Sequence, residues 1–153
     1  MILSDKGIKK AISDGSIIVE SSNELFIGPS SIDLHLAPYI KTIQKSSNIS
    51  LNFRMILDTR DKDSVEYDED NFDKLGYIDI FPNDFFLLST VEKIGLGNNI
   101  AAFVNGRSSL ARLGLSIHMA GFVDPGFTGT ITLEVSNFTN RPIRLYKDIE
   151  FVK

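Results

Sequence analysis

A run of basic and hydroxyl side chains at residues 106–115 has the chemistry of a phosphate site. Two arginines and two serines lie within six residues, after a segment typical of a buried strand. If a helix begins near Ser108, the free N–H groups of its first turn, the Ser108 and Ser109 hydroxyls and the Arg107 guanidinium can bind a phosphate. Ser108 and Arg112 also share a helix face, because they are four residues apart. A capped helix with solvated arginines is the alternative that spacing leaves open.

A second candidate lies at residues 120–127, where an Asp-Pro-Gly sequence predicts a turn at the end of a strand. Proline presets φ in such turns, and glycine tolerates positive φ. Asp124 would therefore lie at the strand end, where its carboxylate could hold a sugar hydroxyl. Phe122 and Phe127 flank it and could pack on a sugar or a base. The alternative is an ordinary hairpin with both phenylalanines in the core.

A single carboxylate in an apolar, β-branched segment is the third candidate. Alternation predicts a strand over residues 130–135 whose two faces differ in polarity. The apolar face comprises Ile131, Leu133 and Val135, and the polar face comprises Thr130, Thr132, Glu134 and Ser136. A desolvated Glu134 could act as a general base or acid toward a bound substrate. An exposed glutamate on a solvated sheet face is the alternative.

Composition limits thiol and zinc chemistry. The chain has no cysteine, and its two histidines are His35 and His118. Zinc nucleobase deaminases need histidine and cysteine ligands, or a set of cysteines, so this chain cannot build their metal site. A deaminase of this composition would have to activate water with a carboxylate. His118, between the first two candidates, could contact a ligand or fill a structural position.

Charge and hydropathy limit the partners. The net charge of -4 does not give the basic footprint of a nucleic-acid-binding surface. Residues 1–10 carry four charged side chains and no apolar run long enough for a signal peptide or a membrane span. We therefore expect no nucleic acid or membrane partner, and a cytoplasmic location.

Strands are the main elements that must position these candidates. Residues 4–13 predict a short helix that Ser4 or Asp5 can cap, and Gly15 suits its end. Apolar or β-branched runs predict strands at residues 17–19, 31–36, 78–80, 85–88, 100–104, 117–123, 130–135 and 143–145. Turn residues, among them Gly95, separate these runs. Short strands at such spacing predict a sandwich or a barrel, with no repeat and no second domain.

The segment at residues 58–73 is the polar part of the chain. Its eight carboxylates are only partly offset by Arg60, Lys62 and nearby Arg54. A metal loop is one interpretation, but the EF-hand pattern fails because no glycine or closing glutamate has the required offset. A solvated, mobile loop is predicted, because charge-dense segments rarely pack.

Together, residues 106–115, 120–127 and 131–134 with Asn137 resemble the core signature of the dCTP deaminase family, within the trimeric dUTPase superfamily. The runs Met-Ile-Leu-Ser-Asp at 1–5 and Pro-Ser-Ser-Ile-Asp-Leu at 29–34 resemble it too. The resemblance implies a mainly β, distorted β-barrel or jelly-roll-like fold, with a short N-terminal helix and a short helix after Arg-Ser-Ser. It implies a homotrimer with sites shared between subunits. It also implies a dCTP or dUTP substrate whose triphosphate holds Mg²⁺, without zinc.

The resemblance implies roles for individual residues as well. Glu134 matches the catalytic glutamate, which takes a proton from the water attacking C4 of cytosine and passes protons to the leaving ammonia. Arg112 matches the arginine that helps to order this site, and Asp124 matches the carboxylate that holds the deoxyribose 3′-hydroxyl. Arg107, Ser108 and Ser109 match the phosphate-side residues, and the segment from Thr132 through Leu133 to Glu134 matches the strand beside the base. Leu110 and Ala111 are also expected to bind the substrate, and further candidate contacts are Ala120, Val123, Phe127 and Lys153.

Two features separate this chain from parts of the family. The short spacing from His118 to Asp124 resembles bifunctional members, which convert dCTP to dUMP by also hydrolysing the triphosphate. A dUTP pyrophosphatase and a catalytically silent nucleotide-binding or regulatory module remain alternatives. The chain ends at Lys153, where glutamine is common, whereas related chains continue through another strand and a tail that closes over the nucleotide. We therefore expect one domain over residues 1–153, without the final strand and lid.

Overall fold

The computed structural model describes residues 1–43, 57–61, 65–117 and 120–153. Its first element is helix α1 (Asp5–Ser13), which the Ser4 side chain caps by accepting a hydrogen bond from the Gly7 N–H at 3.4 Å. Ile8 and Ala11 form the buried face of this helix. The predicted N-terminal helix is therefore confirmed.

Strands dominate the rest of the described chain. In chain order they are β1 (Ile17–Glu20), β2 (Phe26–Ile27), β3 (Ile32–Ile43), β4 (Tyr67–Asn71), β5 (Tyr77–Ile80), β6 (Phe85–Leu96), β7 (Ala102–Phe103), β8 (Leu115–Ile117), β9 (Phe122–Val123), β10 (Thr128–Asn137), β11 (Ile143–Tyr146) and β12 (Glu150–Val152). The second helix, α2 (Ser108–Ala111), lies between β7 and β8. Neither helix is long and apolar enough to cross a membrane, within the part of the chain described. The predicted mainly β fold with two short helices is confirmed.

Two strands of twelve residues each, β3 and β6, organise the main sheet. They pair antiparallel, and the strand order is β12-β3-β6-β10-β8. β1 also pairs with β6, while β2 and β4 also pair with β3. Strands twist, and this sheet curls into a half-barrel. The pairs β5–β11 and β7–β9 form two separate ribbons.

Apolar side chains that alternate along these strands point to the core. On β10, Ile131, Leu133 and Val135 are buried, whereas Thr130 and Thr132 are exposed, as the alternation predicts. Burial of a large apolar side chain contributes about 1.5–3 kcal/mol, so this face fixes the register of β10. The polar face of β10 is thereby turned away from the core.

β6 is longer than the strand predicted at residues 85–88. It continues to Leu96, and Gly95 lies inside it, so the turn predicted at Gly95 is wrong. Gly95 pairs with Ile18 of β1. A Cβ added to Gly95 would lie 3.1 Å from the Ile18 Cβ, so the glycine allows the two strands to approach closely.

The segment predicted as one strand at residues 117–123 is divided instead. β8 ends at Ile117, β9 begins at Phe122, and Ala120 between them is not in a strand. His118 lies outside the described residues, so its predicted role stays a prediction. β8 and β9 have different partners, because β8 pairs with β10 whereas β9 pairs with β7.

The acidic segment at residues 58–73 is not entirely a loop. Tyr67–Asn71 form β4, which pairs antiparallel with β3, so the loop prediction is wrong for these residues. All five β4 residues are exposed, as expected for a solvated segment. Phe72 follows directly and is buried, so it anchors the end of the strand. Backbone pairing with β3 requires no apolar side chains, which is why alternation does not reveal β4.

Candidate functional site

The backbone before α2 is held against β12. The Asn105 N–H donates to the Lys153 carbonyl at 2.8 Å, and the Lys153 N–H donates to the Asn105 carbonyl at 2.9 Å. The Arg107 N–H donates to the Phe151 carbonyl at 3.2 Å, and Gly106 forms a bridge with Val152. β12 in turn pairs with β3, so the Arg-Ser-Ser run is tied to the main sheet.

α2 begins at Ser108, as the sequence predicts. Its N-cap is Arg107, in extended conformation and without a side-chain cap hydrogen bond. Ser108 and Ser109 are exposed, and their N–H groups lie in the first turn, where a helix offers no internal acceptor. The alternative of a serine-capped helix is therefore wrong, because both serines lie inside the helix rather than at its cap.

The turn after α2 depends on Gly114. Its φ is +88°, a conformation that suits glycine. A Cβ added there would lie 2.1 Å from the Thr139 Cγ2, so the backbone passes directly against that side chain. The Arg112 N–H donates to the Ser108 carbonyl at 3.0 Å, which continues the helical turn to Arg112. Gly114 thus sets the direction in which the chain leaves the arginine.

A polar cleft of about 370 Å³ opens beside this helix. Three cationic side chains and three hydroxyl side chains line it, together with an aromatic ring and one carboxylate. The lining residues are Phe26, Gly28, Pro29, Ser31, Asp33, Arg107, Ser108, Ser109, Arg112 and Lys153. The structure therefore brings together Arg107, Ser108, Ser109 and Arg112 with Lys153, although Lys153 lies far from the other four in the sequence.

Arg107 contacts two carboxylates, of which Asp33 also lines the cleft. Its Nη1 donates to the Asp33 Oδ2 and lies 2.7 Å from the Glu150 Oε2. Asp33 is buried on β3, and Glu150 is on β12. Sequence reasoning missed both partners. The available signal was the placement of Asp33 within the Pro-Ser-Ser-Ile-Asp run, on the polar side of an alternating strand.

Asp124 lies directly after β9, as predicted, and is exposed. The Phe127 N–H donates to the Asp124 carbonyl at 3.2 Å, and Gly126 has a φ of +81°. These features, with Pro125 in the turn, are those of a type II turn. Phe127 packs against the core, but Phe122 is exposed, so the alternative with both rings in the core is wrong.

Phe122 forms part of an aromatic pair that faces solvent. It lies opposite Phe103 in the β7–β9 ribbon, with ring centroids 5.3 Å apart and an edge-to-face geometry. Phe103 is 70% exposed and Phe122 is 52% exposed. The β7–β9 ribbon therefore presents two large apolar rings to solvent close to Asp124 in the sequence.

Glu134 is half-buried on β10, opposite Leu87 of β6. Thr132 on the same face is exposed, whereas Leu133 is 0% exposed and Val123 is buried. The side chains of Leu133 and Val123 therefore face the core, and only their backbones could meet a substrate. The described residues that line the cleft beside α2 include none of the four candidates Val123, Thr132, Leu133 and Glu134.

A buried carboxylate that the sequence did not single out joins β3 to β6. Glu92 is 0% exposed, and its Oε1 lies 2.6 Å from the His35 Nδ1. Its Oε2 accepts from the His35 backbone N–H at 2.8 Å, and its Oε1 accepts from the Ser21 hydroxyl at 3.3 Å. A buried charge needs such partners. Alternation from Leu88 to Ile94 could have indicated that Glu92 faces the core.

Metal ligation by side chains alone finds no support in the described residues. They contain no group of three or more His, Cys, Asp or Glu side chains placed to hold an ion. Asp33 is the carboxylate of the cleft, and it is paired with Arg107.

Solved structures share this fold. The 2′-deoxycytidine 5′-triphosphate deaminase from Agrobacterium tumefaciens matches with a TM-score of 0.69 and 21% identity, over 99% of this chain and 46% of that chain. The EIAV dUTPase matches with a TM-score of 0.55 and 21% identity, over 89% of this chain and 82% of that chain. The half-barrel sheet is therefore that of dUTPase-like proteins.

Sequence comparison identifies the family. The profile described as dCTP deaminase-like matches residues 2–153. A protein of Coprothermobacter proteolyticus described as "dCTP deaminase, dUMP-forming" is 44% identical over 147 residues, which are 95% of this chain and 76% of the relative. The match spans all three candidate segments, from the Arg-Ser-Ser run to Glu134. The chain belongs to the dCTP deaminase-like family.

Proposed function

We propose that this chain deaminates dCTP and hydrolyses the triphosphate, with dUMP as the final nucleotide. The observation that carries the proposal is the cleft beside α2, which gathers Arg107, Ser108, Ser109, Arg112 and Lys153 in a chain of this family. The relative from Coprothermobacter proteolyticus is described as "dCTP deaminase, dUMP-forming". Cations, hydroxyls and first-turn N–H groups together suit a polyanion.

The cleft is the proposed triphosphate site. The Ser108 and Ser109 hydroxyls and N–H groups donate to phosphate oxygens, and Arg107, Arg112 and Lys153 supply positive charge. Mg²⁺ prefers oxygen ligands and often binds through substrate phosphates, which suits a cleft whose carboxylate is already paired. Bound to the triphosphate, the ion would neutralise charge on the phosphoryl oxygens. No side chain of this site is assigned to the metal.

Deamination is assigned to the β10 side of the site. Water attacks C4 of cytosine, Glu134 accepts a proton from it, and protons pass to the departing amino group, which leaves as ammonia. Asp124 holds the 3′-hydroxyl, and Thr132 to Glu134 lie beside the base. Hydrolysis of the resulting dUTP consumes a second water and yields dUMP and pyrophosphate.

The proposed site is shared between two copies of the chain. Asp124, Thr132 and Glu134 do not line the cleft that holds the phosphate-side candidates, among the residues described. The exposed Phe103–Phe122 pair beside Asp124 supplies an apolar surface that association would cover. We therefore propose a homotrimer in which one subunit supplies the phosphate cleft and its neighbour supplies the base and sugar contacts.

Product analysis tests the proposed function. The purified chain is incubated with dCTP and Mg²⁺, and separately with dUTP, and the products are identified. We expect ammonia, dUMP and pyrophosphate from dCTP. Ammonia with dUTP as the final nucleotide would restrict the function to deamination. Pyrophosphate from dUTP without ammonia from dCTP would indicate a dUTP pyrophosphatase, and binding without turnover would indicate a silent module.

A further inference from the structure

Arg107 is shared between two carboxylates that differ sharply in their exposure. The Asp33 side chain is 6% exposed, whereas the Glu150 side chain is 42% exposed, and the arginine itself is 31% exposed. One Nη1 atom serves both contacts. The buried partner has little access to water, while the exposed partner can leave the arginine and be solvated.

The backbone holds the two carboxylates on neighbouring strands. Asp33 lies within β3, and Glu150 of β12 pairs with His35, two residues further along β3. Each carboxylate is therefore anchored at its Cα, and only the side chain of Glu150 has room to turn outward. Asp33 stays beside Arg107 in either case.

Two negative charges against one guanidinium leave the cluster of Arg107, Asp33 and Glu150 with one excess negative charge. Arg112 and Lys153 line the cleft with Arg107 and supply further positive charge. The Glu150 carboxylate repels a polyphosphate that approaches Arg107, because like charges at short range repel. Retention of the Glu150 contact therefore opposes binding of the anion.

We propose that Glu150 is an internal competitor for Arg107, which a polyphosphate displaces, and that Asp33 is the positioning residue that keeps the guanidinium in the cleft. The inference rests on the proposed function only for the identity of the anion. Glu150 lowers the affinity for any polyphosphate, and Asp33 raises it by holding Arg107 in place. The two carboxylates thus act in opposite directions on the same arginine.

Inorganic tripolyphosphate is the probe for Glu150, because it has no base or sugar. Its dissociation constant is measured by calorimetry in low-salt buffer for the full chain and for Glu150→Gln. We expect Glu150→Gln to tighten binding by about two- to fivefold, the size of a partly exposed ion pair. Glutamine keeps the shape of the glutamate side chain and can still form a neutral hydrogen bond. The change in the dissociation constant therefore reports the loss of the negative charge. Unchanged or weaker binding would overturn the proposal.

Glu69→Gln is the matched control. Glu69 is an exposed strand carboxylate paired with Lys41 at 2.5 Å, and it does not line the cleft. The substitution changes the net charge by the same amount as Glu150→Gln. We expect no change in tripolyphosphate affinity. Equal tightening in both variants would mean that total charge, and not competition at Arg107, controls binding.

Two conservative substitutions test the role of Asp33. We expect Asp33→Asn to weaken tripolyphosphate binding by at least about tenfold, because a charge-assisted contact that orients Arg107 is lost. Asp33→Glu, which restores the carboxylate, is expected to recover part of that affinity. If Asp33→Asn does not fold, Asp33→Glu is compared with the unsubstituted chain, and tripolyphosphate binding at least as tight as in that chain would contradict a positioning role for Asp33. Tighter binding in folded Asp33→Asn would contradict a positioning role.

The two proposals fail separately. If dCTP yields no ammonia while tripolyphosphate binding changes as expected, the deaminase assignment is wrong and the competition at Arg107 stands. If ammonia is released while Glu150→Gln leaves tripolyphosphate binding unchanged, the competition is wrong and the deaminase assignment stands. As a second readout, the KM for dCTP in Glu150→Gln should fall by the same factor as the dissociation constant.

Discussion

Glu134 lies between two buried neighbours on β10, so its backbone is fixed while its half-buried carboxylate can reach a ligand. Glu134→Gln keeps the size of the side chain but cannot accept the proton from water. We expect deamination to fall by about 10²- to 10⁴-fold, the usual contribution of general acid–base catalysis, with dCTP binding retained. The rate of ammonia release measures deamination, and calorimetry with dCTP measures binding.

Glu20→Gln provides the control for this substitution, because Glu20 is an exposed strand glutamate on β1. It should leave ammonia release unchanged. Turnover of Glu134→Gln equal to that of the unsubstituted chain would remove Glu134 from the mechanism. Loss of dCTP binding together with turnover would instead assign Glu134 to binding.

The polar residues of the cleft were predictable from type and local spacing, but their partners were not. Arg107, Ser108, Ser109 and Arg112 are close in sequence, and helical spacing alone groups them. The Asp33 contact to Arg107 joins residues 74 apart. Alternation assigns a side chain to a face of a strand, but it does not say which distant strand lies next to it. The partners of Arg107 therefore required the sheet topology.

At the scale of elements, the end of α2 depends on the backbone of Gly114. Gly114→Ala would place a methyl group 2.1 Å from the Thr139 Cγ2 and force a positive φ on alanine. We expect a loss of about 2–4 kcal/mol in the free energy of unfolding, which combines a left-handed conformation with overpacking. Urea unfolding measures it.

Gly76→Ala separates these two causes. Gly76 has a φ of +75°, but nothing lies within 4 Å of an added Cβ. Its substitution should cost only the conformational part, about 1–2 kcal/mol. Equal losses in the two variants would show that Thr139 yields to the methyl group. In that case the packing at Gly114 does not constrain the exit from α2.

Several elements followed from periodicity, and two that did not, β4 and the second half of β6, share a cause. β5, β10 and β11 carry clear alternation and lie where predicted. β4 does not, because Asp68, Glu69 and Asp70 have no apolar face and are held by backbone pairing with β3. β6 extends through Gly95 because β1 pairs with this part of the strand. In each exception a neighbouring strand, and not local sequence, decides the conformation.

For the whole molecule, a mixing experiment can test the proposal that each site is shared between two subunits. Arg112→Ala and Glu134→Gln are each expected to lack activity, because each lacks one side of the site. Mixed trimers contain some sites with both original residues. Random mixing should recover about a quarter of the activity, since each site draws one residue from each of two subunits. Ammonia release from co-refolded variants carrying different tags measures the recovery.

A same-side pair controls for this experiment. Arg112 and Arg107 line one cleft of one chain. Mixing Arg112→Ala with Arg107→Ala should therefore restore no activity, because no cleft in any mixed trimer has both arginines. If mixed trimers of Arg112→Ala and Glu134→Gln form but stay inactive, Glu134 acts within its own subunit.

The attachment of β12 beside the Arg-Ser-Ser run also has a consequence for synthesis on the ribosome. The cleft combines residues 26–33 with residues 107–112, and residues 150–153 hold these two segments together. A growing chain therefore carries Arg107 for more than forty residues of elongation before Glu150 and Phe151 can reach it. During that interval α2 is made but has no β12 backbone to dock on. The cleft as the structure shows it, with Lys153 in its lining, can therefore assemble only after β12 has been made.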